Sequence, residues 1–280
     1  MSEPAPEGVD LEHPNAARIY DYLLGGTANW AIDRSFGELI VKHVPMARTI
    51  ARANREFLGR SVRYCVRHGV SQFLDLGSGV PTVGNVHEAA DELDGSSRCV
   101  YVDREPVAVA HSELLLEEHG DPERHAVVRA DFRDVAAVWK QAAATGVLDT
   151  GRPIGLILCA ALHFLSPAEP AAEIMARYRE LLPGGSYLII THGTKEGLRL
   201  PPEEVAEISA VFELYEQSST PVYSRGRAEI AGFFGDFPLV EPGLVWLPEW
   251  RPKEGPAKAS ARFAENPSLS VGLGGVGRKP

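Results

Sequence analysis

From residue 71 to residue 191, short apolar runs alternate with stretches of helical period. The apolar runs are residues 72–76, 98–103, 126–129, 154–159 and 186–191. They are apolar at successive positions, the pattern of parallel strands covered on both faces. Between them, residues 85–93, 106–119, 135–144 and 168–182 read as helices. Pro106 stands at a first helical position, where its missing N–H costs nothing. Pro183-Gly184-Gly185 stops the last of these helices. The alternation predicts an α/β fold, with a mostly parallel sheet between two helical layers.

The flanks read differently. Upstream, Ile50, Phe57, Leu58, Val62, Cys65 and Val66 recur on one helical face, and Gly69 ends that helix. Residues 14–34 crowd Tyr20, Tyr22, Asn29, Trp30 and several charges around Gly25-Gly26, a pair that breaks a helix and permits a hinge. Two readings stand. One is a lid, with Tyr20, Tyr22 and Asn29 facing a ligand. The other is a helix packed on the sheet edge with a glycine C-cap. Arg48, Arg52, Arg55 and Arg60 follow, read as a largely solvated face from which Arg55 reaches a ligand carboxylate. Downstream, helices are expected at 201–217 and 227–234 and strands at 239–247 and 268–276. Residues 250–267 read as an exposed loop, mobile or partly helical, because the connection is unusually long. The expected organisation is a mobile tail (1–13), a helical lid or cap (14–70) and a ligand-binding domain (71–280).

Composition narrows the partners. The formal net charge of −10 gives the 280-residue chain no general attraction for phosphate backbones, so nucleic acid is not expected. There is no run of about 18 apolar residues, so no membrane span is expected. The N-terminus is acidic and Pro-rich, unlike a signal peptide. Cys65, Cys99 and Cys159 are odd in number, widely spaced and set in apolar runs, as buried free thiols would be. A cytoplasmic location fits, a metal site is not expected, and a homodimer is allowed.

The chemistry sits where the strands end. Phe73-Leu74-Asp75-Leu76-Gly77-Ser78-Gly79-Val80-Pro81-Thr82 reads as a strand entering a glycine turn, the usual opening of a nucleotide crevice. A dinucleotide fingerprint would place a third glycine at position 82, where Thr82 stands, and Pro81 has no N–H for a phosphate. Asp75 would repel a pyrophosphate. It suits an amino group and a sulfonium, as in S-adenosylmethionine. Asp103 ends the second strand at roughly the 20-residue offset of a ribose-binding acid, with Arg104 beside it. Asp131-Phe132 ends the third, pairing an acceptor for an exocyclic amine with a ring face for adenine. Each acid alone could equally be a helix N-cap. Three at successive strand ends favour a ligand. Ala160-Ala161-Leu162-His163-Phe164 ends the fourth strand, where a reacting group would sit. His163 is either a catalytic group or a ring bonded to a carbonyl, and His192 is a weaker candidate.

These residues resemble a known family. Pro14, Arg18, Tyr20, the Asp21-Tyr22-Leu23-Leu24-Gly25-Gly26 run, Asn29 and Asp33-Arg34 carry the likeness at the N-terminus. The residue 73–82 motif, Asn85-Val86-His87-Glu88, Tyr101-Val102-Asp103, Leu162-His163-Phe164 and the closing residues 274–280 continue it. Together they are similar to the actinobacterial family of S-adenosylmethionine (SAM)-dependent methyltransferases first catalogued as a domain of unknown function. The resemblance implies a class I methyltransferase fold, Rossmann-like and seven-stranded, with six parallel strands, an antiparallel last strand and helices on both faces. It also implies SAM along Asp75, Gly77, Ser78 and Gly79, Asp103 at the ribose and Asp131-Phe132 at the adenine, with S-adenosylhomocysteine (SAH) as product. The family supplies no methyl acceptor. The expected function is methyl transfer to a small molecule, with Tyr20, Tyr22 and His163 orienting or deprotonating it, Arg104 and Ala160 at the cofactor, and Asn29 and Arg55 in the lid. Two rivals are a SAM- or SAH-binding protein without catalysis and a nicotinamide oxidoreductase.

Overall fold

The computed structural model describes residues 9–280. Five parallel strands form the body of one sheet: β1 (Gln72–Leu76), β2 (Arg98–Asp103), β3 (His125–Arg129), β4 (Gly155–Cys159) and β5 (Tyr187–Gly193). Two more, β6 (Val245–Trp246) and β7 (Gly272–Arg278), complete it, with β7 antiparallel to both β5 and β6. The order is β3-β2-β1-β4-β5-β7-β6. It reverses between β1 and β4, and such a reversal opens a crevice at the carboxyl ends of the strands. The helices are α1 (Ala16–Leu24), α2 (Ala31–His43), α3 (Ala47–Arg67), α4 (Val86–Asp91), α5 (Pro106–His119), α6 (Val135–Ala144), α7 (Ala171–Leu181), α8 (Pro202–Tyr215) and α9 (Arg227–Gly232). The expected seven-stranded class I arrangement is present.

The two-residue period of the strands splits the core between two faces. Leu74, Val100, Leu156 and Leu188 pack with Tyr178 of α7 and Phe234 on one side. Phe73, Tyr101, Ile157 and Ile189 pack with Phe57 of α3 and Trp250 on the other. Asp75 shares its parity with Phe73. It therefore lies on the α3 face, one residue inside the strand, opposite Tyr101 and Ile157.

The N-terminal helices are tied to the sheet by buried charge. Arg18 is wholly buried. Its Nε donates to Asp33 Oδ2 at 2.9 Å and its Nη1 to Glu105 Oε1 at 3.2 Å. Its Nη2 reaches the carbonyl of His13 at 2.9 Å. Asp33 also accepts from the N–H groups of Asn15 and Trp30. A second knot centres on Asp21, which accepts from Asn29 Nδ2 at 2.7 Å and from Thr82 Oγ1 at 2.6 Å. Gly26 is glycine because a Cβ there would lie 1.9 Å from Asp21 Oδ1. The expected hinge at Gly25-Gly26 is thus a packed turn between α1 and α2. Residues 1–8 of the expected tail lie outside the described residues. In residues 9–13, Asp10 accepts from the N–H groups of Glu12 and His13, and Val9 packs near Ala28 and Val80.

Other departures have packing causes. Residues 250–267 are pinned and partly helical: Trp250 and Phe263 are completely buried, and residues Ser260–Phe263 make a 3-10 turn. Arg60, read as part of a solvated face, is buried and donates to the carbonyls of Leu247 and Trp250 at 2.8 Å each. The expected strand at 239–247 shrinks to β6, since the Pro242-Gly243 turn interrupts it, although Leu239 still bridges to Gly277. The last strand begins later than expected because Pro267–Ser270 forms a 3-10 turn.

Replacing Arg18 leaves the Asp33 carboxylate buried with its cation gone, a loss that typically costs about 3–5 kcal/mol. Arg18→Met is expected to lower urea stability by that order. A loss below about 1 kcal/mol, the scale of exposed pairs, would show that this contact does not anchor the N-terminal helices.

Candidate active site

A cavity of about 300 Å³ opens over the carboxyl ends of β1, β2, β4 and β5 and runs beneath α1–α3 and α8. One end is built from turns. Gly77 and Gly79 adopt φ +68 and +67, and Ala160, just past β4, has φ 55. Left-handed backbone at a non-glycine residue is costly and occurs where surrounding contacts impose it. Here the Ala160 N–H donates to Thr191 Oγ1 at 2.8 Å. The two turns touch, since a Cβ on Gly77 would lie 3.0 Å from Ala161 Cβ. At Gly79 a Cβ would meet no protein atom, so the backbone there borders open space.

Asp103 follows on the same wall. Its Oδ2 accepts from Gly79 N at 2.8 Å and its Oδ1 from Glu105 N at 2.9 Å. Burial raises its pKa above the ordinary carboxylate value, and those N–H groups oppose the shift. Each oxygen retains a lone pair for further donors. Asp131 accepts from Arg133 and Arg104, and Phe132 beside it lines the cavity under the Arg133 guanidinium. Gly77, Ser78, Gly79, Asp103, Arg104, Asp131, Phe132 and Ala160 therefore share this end.

The other end is apolar. Ile208, Val211, Phe212 and Tyr215 repeat at helical spacing along α8, and this stripe lines the cavity opposite Leu23, Ile40 and Ile50. Phe36 and Tyr215 meet edge-on at 5.3 Å, and His43 Nδ1 lies 2.5 Å from Glu207, joining α2 to α8. A polar relay crosses the floor. Tyr20 donates to the Ala51 carbonyl and accepts from Asn54 Nδ2, both at 2.9 Å, while Thr191 donates to Asn54 Oδ1 at 2.7 Å. Burial pushes the Tyr20 hydroxyl up to about 12, so it stays protonated at neutral pH.

His163 sits in the 3-10 turn Leu162–Phe164 on the cavity wall. Burial, then His192 and Arg225, hold its pKa well below the usual imidazole value. His192 is lowered to about 4, chiefly by burial. Its Nδ1 meets the Gly193 carbonyl at 2.7 Å and its Nε2 the Arg225 guanidinium at 3.3 Å. Arg225 also holds the carbonyls of Leu162 and Leu165, bracing the His163 turn from behind.

Three expected residues fall elsewhere. Tyr22 and Asn29 do not line the cavity: the Tyr22 ring lies under Arg48, and Asn29 is spent on Asp21 and the Gly26 carbonyl. Asp75 faces a small adjoining pocket with Arg55, Ser78, Gly79 and Tyr101, as its strand parity requires. Arg55 borders both spaces, but its guanidinium is engaged by the carbonyls of Val83 and Gly84. Sequence reasoning missed Asn54, Thr191, Glu105 and the α8 stripe. Only the stripe left a signal, the 208-211-212-215 spacing.

The sequence profile of the S-adenosyl methyltransferase family matches residues 2–280. This chain belongs to that family. S-adenosylmethionine is accordingly its methyl donor. The methyltransferase is 36% identical, with a TM-score of 0.85, to a protein of Thermobifida fusca YX provisionally described as a methyltransferase, over 99% of each chain. It is 35% identical, also with a TM-score of 0.85, to a DUF574-family protein of Streptomyces avermitilis MA-4680, over 97% of this chain and 99% of that one. An O-methyltransferase-family protein of Burkholderia thailandensis shares the fold, with 14% identity and a TM-score of 0.51 over 88% of this chain and 59% of its own. No curated protein matches this methyltransferase significantly. Among the described residues, no helix is long and apolar enough to cross a membrane, and no cluster of side chains could hold a metal ion.

The donor set suits the cofactor. The lone pairs of Asp103 can take ribose hydroxyls, and the open space at Gly79 admits a ligand against the backbone. Asp75 carries a testable signature. Burial, with Asp103 nearby and Arg55 opposing, pushes its carboxyl from 3.8 up to about 7. In the unfolded chain it ionises lower, so between those values the native state holds more protons and loses stability as pH rises. Asp75→Asn should therefore be more stable than the parent at about pH 8, with the gap narrowing by about 2–3 kcal/mol at about pH 5. A pH-independent gap in urea midpoints would refute the buried-acid assignment.

Proposed function

We propose that this methyltransferase acts on a small-molecule acceptor held in the apolar end of the cavity. The observation that carries the reading is the α8 stripe: Val211, Phe212 and Tyr215 stay only half-buried and line the open volume. In this reading Asp103 takes the ribose hydroxyls, Asp131 and Phe132 hold the adenine, and Gly77, Ser78 and Gly79 let the backbone approach the amino-acid portion. Asp75 acts from behind that loop, through the small pocket it shares with Ser78 and Gly79. When bound, S-adenosylmethionine supplies an electrophilic methyl group on a sulfonium. The chain then aligns the acceptor with that methyl and excludes water, the two contributions an in-line displacement requires. The roof of α1, α2 and α8 excludes water. Tyr20 fixes the floor through Asn54 and Thr191, and His163 orients the acceptor. Three free cysteines among the described residues suit a reducing, cytoplasmic setting.

A second reading is binding of SAM or SAH without turnover. It is favoured by the want of an ionised base at the apolar end, where Tyr20 stays protonated and His163 is a weak base. Transfer of labelled methyl to any acceptor in a broad panel excludes it, and persistent binding without transfer supports it.

The cofactor assignment is tested by titration calorimetry. Asp103→Ala should weaken SAM binding by about 2–3 kcal/mol, the scale of a hydrogen bond to a charged acceptor. Unchanged affinity would remove Asp103 from the ribose site. NAD binding tighter than SAM binding would instead favour an oxidoreductase.

A further inference from the structure

The cavity is sharply divided by charge. Its ionisable acids and arginines are Arg55, Asp103, Arg104, Glu105, Asp131 and Arg133. All lie at the end of β2 or on the turns after β2 and β3 or, for Arg55, are bonded to the loop after β1. The apolar end has none. Its polar groups are Tyr20, Asn54, Thr191, Tyr215, Thr220, Ser270 and the two histidines, all uncharged at neutral pH.

Nearly all of that polarity is used within the protein. The Tyr20 hydroxyl both donates and accepts, and so does Thr191 Oγ1. Both nitrogens of His192 are engaged. Two groups are different: the Tyr215 hydroxyl on α8 has no hydrogen-bond partner among the described residues, and one nitrogen of His163 has none either. His163 Nδ1 faces the N–H of Gly193 at 3.5 Å, whereas Nε2 has no hydrogen-bond partner among the described residues. A ring nitrogen that faces a backbone donor presents its lone pair, which places the proton of the neutral ring on Nε2. The cavity therefore offers two free donors here, His163 Nε2–H and the Tyr215 hydroxyl, in an uncharged, largely apolar compartment.

Resting on the methyltransferase reading of this cavity, we propose that the acceptor is an uncharged, predominantly apolar molecule that meets His163 Nε2–H with an oxygen or nitrogen lone pair. A carboxylate, phosphate or ammonium placed among Leu23, Ile40, Ile50 and Val211 would lose its hydration with no opposite charge to replace it. His163 is then a positioning donor, and the acceptor brings its own nucleophilicity. This selection is independent of which atom is methylated.

The test uses the full chain at neutral pH and reads binding by calorimetry. SAH is titrated first. Failure of SAH to bind overturns the cofactor assignment, and this proposal with it, before any probe is added. On SAH-saturated protein, 2-naphthol is expected to bind at least about tenfold more tightly than 2-naphthoate, since only the latter buries an unpaired charge. His163→Ala should weaken 2-naphthol by about fivefold or more, the worth of one hydrogen bond, and leave naphthalene unchanged. His163→Gln, which keeps an N–H donor, should restore much of the loss. Val211→Arg should invert the order in favour of 2-naphthoate. Equal or tighter binding of 2-naphthoate to the parent protein overturns the proposal, and so does absence of binding by either naphthalene derivative while SAH binds. Equal losses of 2-naphthol and naphthalene in His163→Ala overturn the donor role.

Discussion

The site depends on a buried guanidinium. Arg18 leaves water entirely and is compensated by Asp33 within the N-terminal helices and by Glu105 in the turn after β2. Glu105 is two residues from Asp103 and donates its own N–H to the Asp103 carboxylate. Asn15, which caps α1, reaches the other Glu105 oxygen at 3.1 Å. The Asp103 carboxylate and the helix roofing the apolar end of the cavity are thus joined through one residue. A charge so enclosed is tolerated only while its partners hold their places. This makes the N-terminal region a structural wall of the cavity, and any opening must preserve or exchange those contacts.

A second constraint comes from topology. Parallel strands bring every loop that follows them to one edge of the sheet, and charged residues gather at the ends of β2 and β3 and in the turns after them. The half beyond β4 and β5 is roofed by helices whose inward faces are apolar. The charged and the apolar ends of the cavity are consequently separated by a wall-to-wall change in polarity. His163 stands near that change, on a turn whose carbonyls are held by Arg133, Arg225 and the Tyr223 N–H. Bracing of this kind fixes the backbone that carries the imidazole.

Much of the fold was legible because its signals are local. Each parallel strand announced itself as an apolar run, and the helices between them as 3.6-residue repeats. The glycine turn and the acids at residues 103 and 131 were readable because strand ends converge in any such sheet. Asp75 was misplaced by a single residue of register: a strand reverses its side chains at every step, and only pairing with β2 and β4 reveals which face an interior acid takes. Asn29 and Tyr22 misled because dense polar and aromatic composition looks the same whether it serves a ligand or an internal knot. The partners of Asn29, Asp21 and the Gly26 carbonyl, are close in sequence, but the third member of that knot, Thr82, lies in the glycine loop. Arg60 and Trp250 were hidden for the same reason, since their contact joins segments far apart along the chain.

The amino-acid order by itself determined the strand-helix alternation, the crevice and the family, because these follow from hydrophobic period and from residues adjacent in the chain. Only the tertiary structure decided which side chains face the cavity, that the N-terminal helices are locked by Arg18, and that the apolar end of the cavity is free of ionised groups. Those properties depend on distant segments meeting in a dry interior, where the energy of a charge or hydrogen bond is set by its neighbours in space.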